Sequence, residues 1–300
     1  MTGVPASRQD PARESAGSGA RVAPVLILGG TAEARALAAA LVAGGVRVVS
    51  SLAGRVRDPA LPEGEVRIGG FGGADGLAHW LGTHGVRAVV DATHPFAATM
   101  TAHAATACAA TGVPLVVLRR PGWPPEDGWT WADSLADAAA LLPSLGGRVF
   151  LTTGRTSLAL FAPLDLEFLV RCVDPPAGPL PRRATVILGR GPFTVDGERA
   201  QLREHRVDVL VTKDSGGSLT SAKLAAARAE GVRVLVVRRP PLPAGVEAAS
   251  TVDAALTWLR SGPLEDRTQP RCEGGRLVDE ADVTPGERRR LPAEGRRERP

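Results

Sequence analysis

The run Val25-Leu26-Ile27-Leu28 ends in Gly29-Gly30-Thr31-Ala32-Glu33. Two glycines let the backbone approach a pyrophosphate, and the first N–H groups of a following helix point at it. Gly29, Gly30, Thr31 and Glu33 are the expected cofactor contacts. The spacing is not Gly-x-Gly-x-x-Gly, so an ordinary strand-to-helix turn is the alternative. A second apolar run ends in Ser50 and Ser51, with Arg55 close behind and no acid until Asp58. An acid at that strand end would bond the 2′-hydroxyl of NAD, whereas Arg accommodates the 2′-phosphate of NADP. A surface Arg after a turn explains Arg55 equally well in isolation. Beside the glycine turn, NADPH is the better reading.

Asp91-Ala92-Thr93-His94-Pro95-Phe96 follows another short apolar strand. Open α/β sheets place ligands at such carboxyl ends. His94 is a candidate proton donor or substrate contact, with Asp91 beside it. The alternative is an N-cap network in which Asp91 and Thr93 satisfy helix N–H groups and His94 is incidental. His79, His84, His103 and His205 fall on expected helices or loops and read as solvated.

Of 36 basic Lys and Arg residues, only Lys213 and Lys223 are lysine, and tyrosine is absent. Such bias reflects coding preference more often than chemistry. A retained lysine is notable against it, because Arg cannot serve as a compact, titratable ammonium. Lys213 opens Lys-Asp-Ser-Gly-Gly and is the candidate catalytic lysine. Thr153-Gly154-Arg155, Gly189-Arg190-Gly191 and Lys213 to Gly217 all follow apolar strands. Thr153, Arg155, Arg190, Ser215, Gly216 and Gly217 are the expected substrate contacts, on a cationic edge suited to several carboxylates. Each could singly be a glycine turn flanked by solvated arginines.

The elements that must carry these groups alternate. Short apolar runs at 25–28, 46–50, 66–68, 88–91 and 114–118 are separated by helical stretches, and a second series runs from 149 to 237. That alternation predicts α/β architecture with two Rossmann-like parallel-sheet domains and a cleft between them. The expected divisions are a disordered leader at 1–23, an NADP-binding domain at 24–140, a substrate domain at 141–260 and a disordered tail at 261–300. The stretch 122–147, holding Trp123, Trp129 and Trp131, reads as the passage between domains. Arg-Arg-Pro recurs after a strand at 119–121 and 238–240.

Composition narrows the class. A chain of 300 residues with 44% hydrophobic content builds two globular domains, and its apolar runs are too short to span a bilayer. The net charge of +4 is scattered, and its densest run, Arg288 to Arg290, sits among acids. No nucleic-acid or membrane partner is expected. Cys108, Cys172 and Cys272 are too few and too dispersed for a disulfide framework, and no metal-ligand spacing occurs. A cytoplasmic setting, no metal, and a monomer or weak homo-oligomer follow as expectations.

Several strings occur here in order: Leu-Gly-Gly-Thr-x-Glu-Ala, Ser-Leu-Ala-Gly-Arg, Ile-Gly-Gly-Phe-Gly-Gly, Asp-Ala-Thr-His-Pro-Phe-Ala, Leu-Thr-Thr-Gly-Arg, Gly-Arg-Gly-Pro-Phe and Lys-Asp-Ser-Gly-Gly. With them, residues 24 to 260 closely resemble the precorrin-6A reductases of cobalamin biosynthesis, including the cobalt-precorrin-6A reductases. The resemblance implies two Rossmann-like domains with the active site between them. It implies reduction of one double bond in a polycarboxylate corrin precursor by NADPH, giving precorrin-6B. A non-catalytic NADP- or nucleotide-sugar-binding protein is the competing class. It would share the first half and have no use for three cationic strand ends in the second. A short-chain-type reductase is excluded, since its Tyr acid has no counterpart in a chain without tyrosine.

Overall fold

The computed structural model describes residues 22–54, 60–218 and 220–265. Arg55 lies outside the described residues, as do most of the leader and tail.

The chain builds two six-stranded sheets in which every pairing is parallel. In the first, β1 (Val25–Leu28), β2 (Val48–Leu52), β3 (Glu65–Ile68), β4 (Ala88–Asp91) and β5 (Leu115–Leu118) alternate with α1 (Ala32–Ala43), α2 (Gly73–Thr83) and α3 (Ala98–Thr111). In the second, β6 (Trp129–Ala132), β7 (Arg148–Leu151), β8 (Glu167–Cys172), β9 (Arg183–Leu188), β10 (Val209–Lys213) and β11 (Arg233–Val237) carry α4 (Leu135–Leu145), α5 (Val195–Glu204) and α6 (Ala222–Glu230). The chain then returns to the first sheet with β12 (Glu247–Ala249) and α7 (Val252–Arg260).

The orders are β12-β5-β4-β1-β2-β3 and β6-β11-β10-β7-β8-β9. Both trace the doubly wound pattern, with a change of direction beside β1 in one and beside β7 in the other. Each sheet's sixth position is filled from across the domain border. β6 enters the second sheet before its other strands, and β12 closes the first after the second is complete. The expected cut at 140/141 therefore does not follow the sheets. Trp129 to Ala132 pairs with Val234 to Val237, so β6 and α4 belong to the second domain rather than to a passage. β12 is three residues long, too short for a periodic pattern, and its place beside β5 is a tertiary fact. At the chain ends, Val22 O accepts from Arg47, Pro263 O accepts from Arg87 Nε at 2.9 Å, and Leu264 packs on the first core. The expected tail boundary at 261 thus falls inside ordered structure, because Leu264 still has apolar surface to bury.

Helices cover both faces of each sheet. α1 and α7 bury Leu37, Leu41, Leu256 and Leu259 against one face of the first sheet. α2 and α3 place Leu77, Leu81, Ala104 and Ala107 on the other. α4 packs on one face of the second sheet, α5 and α6 on the other. The strands between read as continuous apolar runs because both faces are dry. Among the described residues no helix is long and apolar enough to cross a membrane.

The repeated Arg-Arg-Pro marks the two crossings. Arg119 donates to Pro240 O at 2.8 Å, and Arg239 donates to Arg120 O at 2.8 Å. Asp214, just past β10, holds both segments: it accepts Trp123 N–H at 3.1 Å and Arg239 Nε at 3.0 Å. Gly216 has φ +64°, and a Cβ there would lie 2.0 Å from Pro121 O. Gly217 has φ +76°, with Arg120 Nε 3.1 Å from its Cβ position. Only glycine lets this loop lie against the crossing chain.

Gly216→Ala should therefore destabilise the protein by more than about 2 kcal/mol, the left-handed penalty plus a backbone clash. Gly245→Ala is the control: φ is +76°, but nothing lies within 4 Å of its Cβ position. It should cost only about 1–2 kcal/mol. Urea midpoints compare the two, and equal losses would show that the crossing segments yield without cost.

Candidate active site

The carboxyl ends of both sheets meet at one cleft of about 480 Å³. Gly30 and His94 reach it from the first domain. Thr152, Gly154, Arg171, Gly189, Arg190 and Lys223 reach it from the second. Both changes of strand direction open onto this space, where α/β sheets bind ligands.

On the first-domain side, Gly29 packs the turn tightly, with Leu52 Cδ2 3.3 Å from a Cβ position. Gly30 has φ +116° and, among the described residues, nothing within 4 Å of its Cβ position above the N-terminus of α1. Thr31 caps that helix: its Oγ1 accepts from Ala34 N at 3.1 Å and donates to Ala92 O at 2.8 Å. Glu33 is committed to Arg120 at 2.9 Å, and Arg120 Nε also donates to Ser215 O at 2.7 Å. One arginine thus ties the first helical turn to the loop after β10.

In the middle of β2, Ser50 Oγ is buried without a hydrogen-bond partner among the described residues. Ser51 Oγ accepts from Arg67 Nη1 at 2.7 Å. Arg67, in β3, is held by Gly69 O at 3.1 Å and Gly70 O at 3.0 Å, and lies 3.7 Å from the Phe71 ring centroid. It supplies a fixed guanidinium at the strand end where the sequence reading placed Arg55. Its partner lies across a strand pair, at no regular sequence spacing, so the register alone reveals it.

Asp91 is buried and its carboxylate accepts Thr93 N at 3.0 Å, Thr93 Oγ1 at 2.7 Å and Thr101 Oγ1 at 2.6 Å. It orders the loop into α3 rather than facing the cleft. His94 does face it. Its Nδ1 accepts the Phe96 N–H at 3.2 Å, which places the ring proton on Nε2, 3.1 Å from Ser215 Oγ. The packed protein around the ring, then the cations of Arg120, Lys213, Arg239 and Lys223, push its pKa down to about 3. One edge of the ring remains exposed. His94 is a neutral hydrogen-bonding group at physiological pH, not an imidazolium acid.

The second domain redistributes the expected substrate contacts. Arg190 lines the cleft. Thr153 is buried, 2.9 Å from Ser157 Oγ, while its neighbours Thr152 and Gly154 reach the cleft. Arg155 turns towards Asp174, 4.0 Å away, and the Pro175 carbonyl. Ser215, Gly216 and Gly217 pack on the crossing segments. Lys213 does not line the cleft; its Nζ lies 5.3 Å from the Phe96 ring centroid, and burial lowers its pKa.

The sequence reading missed the buried charges in that wall. Arg171 is 2.8 Å from Glu198, both almost fully buried. Phe193 and Phe150 flank the guanidinium, with ring centroids at 3.9 and 4.9 Å. This gives the Phe of Gly-Arg-Gly-Pro-Phe a packing role. Lys223 is 4% exposed, with Nζ 5.1 Å from the Trp123 ring centroid. The signals were present: a charged residue inside the apolar strand Glu-Phe-Leu-Val-Arg-Cys, and the second of only two lysines.

Two doubly wound sheets sharing a cationic cleft, one with an open glycine turn at a helix N-terminus, define a two-domain Rossmann-like protein. The profile of the precorrin-6x reductase CbiJ/CobK family matches residues 24–260. Precorrin-6A reductase of Rhodococcus erythropolis is 60% identical over 239 residues, covering 78% of this chain and 96% of that protein. Precorrin-6A reductase of Mycobacterium tuberculosis is 52% identical over 240 residues, covering 80% and 98%. The solved structure of CobK precorrin-6A reductase superposes with a TM-score of 0.74 at 43% identity, covering 80% of this chain and 96% of that one. Cobalt-precorrin-6A reductase of Priestia megaterium is 31% identical over 240 residues, covering 74% and 92%. The chain belongs to the precorrin-6x reductase CbiJ/CobK family and is an enzyme, a reductase.

The His94 geometry has a direct check. Long-range ¹H–¹⁵N correlation spectra should show His94 as the Nε2–H tautomer, unchanged between pH 5 and pH 8. Titration of this ring near 6.5 would mean that neither its burial nor the surrounding cations act on it.

Proposed function

We propose that the chain reduces one double bond of precorrin-6A with NADPH, giving precorrin-6B in cobalamin biosynthesis. The observation that carries this is the pairing of the two cleft walls. The open Gly30 turn at the N-terminus of α1 faces a wall bearing Arg171, Arg190 and Lys223. Such a wall suits a macrocycle with several carboxylate arms. A protein that only bound a nucleotide would have no use for it. Higher identity to relatives named for precorrin-6A than to those named for the cobalt form favours a cobalt-free ring. The reaction is that of a CH–CH oxidoreductase in a cytoplasmic setting.

The residues fit the cofactor. The Gly30 turn and the N–H groups opening α1 would hold the pyrophosphate. Ser50 Oγ, buried and without a hydrogen-bond partner among the described residues, and the Ser51–Arg67 pair stand near where a 2′-phosphate would be read. Bound NADPH supplies the hydride. This chain's residues do the rest: they align the two planar groups, neutralise the carboxylate arms and exclude water. His94, a neutral ring held at Nε2 by Ser215 Oγ, faces the substrate space. Asp91 and Lys213 act on the scaffold, Asp91 by fixing the His94 loop and Lys213 by packing under Phe96.

The activity test is incubation of the protein with precorrin-6A and NADPH, followed by mass spectrometry. A gain of two hydrogens is expected. Tight NADPH binding with no gain would leave only the nucleotide-binding reading. For cofactor choice, Arg67→Ala should raise the KM for NADPH about tenfold, from loss of a charge-assisted contact of about 1.5–3 kcal/mol, and barely change that for NADH. Arg55→Ala should act in the same direction. Equal losses with both cofactors would remove these arginines from the 2′-phosphate site.

A further inference from the structure

Reducing a carbon–carbon double bond adds a hydride to one carbon and a proton to its neighbour. Few groups in the cleft wall can give that proton. Arg35, Arg171 and Arg190 line the cleft, and a guanidinium does not give up a proton in proteins. The neutral His94 ring has no readily lost proton. Cys172 is buried, which pushes its thiol pKa upward and withholds its proton. Asp91 faces its own loop, with its carboxylate filled by three donors.

Lys223 differs from all of these. It lines the cleft from the first turn of α6, a helix with no acid in that turn. Among the described residues no acceptor takes a hydrogen bond from its Nζ, whose recorded contact is the Trp123 ring face. The ammonium is therefore not held by a hydrogen bond among the described residues, on a side chain that lines the cleft. Arg171 from β8 repels the charge, and Glu198 from α5 favours it. Across the cleft, His94 is neutral. Neither oxygen of Glu198 receives a hydrogen bond among the described residues, although Arg171 Nη1 stands 2.8 Å away. A buried carboxylate left so incompletely paired acts as a fixed charge on its neighbours.

The geometry points to Lys223 as the proton donor of the reduction, with Glu198 as the positioning residue that keeps it protonated. This rests on the reductase reading above. In the step, an Nζ–H bond breaks and a C–H bond forms at the carbon next to the one receiving hydride from the reduced nicotinamide. Lys223 becomes a neutral amine and regains its proton from solvent. Burial first, then Arg171, brings the Lys223 pKa down to about 7, with Glu198 opposing. The acid form predominates below that value, so the reduction step slows as pH rises through it.

The chain itself offers a probe independent of turnover, since it contains only two lysines. With lysine Cε labelled by ¹³C, Lys213→Arg leaves Lys223 as the one signal. That signal should titrate near neutral pH, and Glu198→Gln should move its midpoint lower. Titration at the ordinary lysine value would overturn the proposal. Single-turnover reduction at saturating NADPH supplies the second readout. Lys223→Met, which keeps the buried stem, should slow reduction about 100-fold or more and abolish the alkaline limb of the pH profile. Lys223→Arg keeps the charge but cannot give up a proton, so it should not rescue the rate. A Lys223→Arg rate within threefold of wild type would show a carboxylate anchor rather than an acid. Retained melting temperature and NADPH affinity exclude misfolding, and Lys223→Gln replaces either variant that fails this check. Absence of reduction by the wild type would instead count against the reductase reading, and leaves the titration to judge Lys223.

Discussion

Asp214 accepting from both Arg239 and Trp123 is the contact on which the rest of this architecture depends. It stands where two chain crossings pass, at the end of β10. Each sheet borrows its sixth strand from the far side of the other domain, so neither sheet is complete unless both crossings hold their course. The carboxylate and the guanidinium are both well buried. Removing one partner of such a pair leaves an uncompensated buried charge, a loss of about 3–5 kcal/mol. The glycines beside Asp214 belong to the same device. Without side chains, Gly216 and Gly217 let the loop press on Pro121 and Arg120. Exchanged strands and a glycine-paved clamp together hold the two domains as partners in one cleft.

Through Arg120 the clamp also reaches the site. That side chain joins Glu33, in the first turn of α1, to the Ser215 carbonyl. His94 completes the link from the other direction, with Nε2 facing Ser215 Oγ. A shift of one domain would therefore disturb both the N-terminus of α1 and the loop after β10. The cleft is cationic through Arg35, Arg171, Arg190 and Lys223, and burial first, then Arg120, Lys213, Arg239 and Lys223, keep the His94 ring neutral. The second-domain wall keeps its charges by two means. Phe150 and Phe193 flank Arg171, and Glu198 compensates it. Burial costs these groups hydration, and a polycarboxylate ligand would return what they lack.

Much of the architecture was legible because strand and helix periodicity is local. The alternation of apolar runs and helical stretches announced two parallel sheets, and the glycine turn after β1 announced an open helix N-terminus. Gly30 and Arg190 do line the cleft, and His94 does stand at its edge. Other expected contacts share a motif with cleft residues but point elsewhere. Thr153 turns into the core while Thr152 and Gly154 face the ligand space, because neighbouring side chains at a strand end diverge. Asp91 ties Thr93 to Thr101 without capping α3, which has Ala97 at its N-cap and no side-chain cap, and Ser215 to Gly217 serve the chain crossing. Lys213 attracted notice for being a lysine, yet the lysine in the cleft wall is Lys223, six residues beyond the glycines in the first turn of α6.

By itself, the sequence determined what local chemistry dictates: which segments form strands and helices, where glycine is needed, and which ordered motifs place the chain in its family. Tertiary structure alone decided which sheet receives β6 and β12, and that the twin Arg-Arg-Pro segments are crossings held by Asp214. It also decided that Arg67 meets Ser51, and that Arg171, Glu198 and Lys223 share one buried wall. Strand order and charge pairing join residues tens to more than a hundred positions apart. Their energies come from register, burial and desolvation, which exist only once both sheets are assembled.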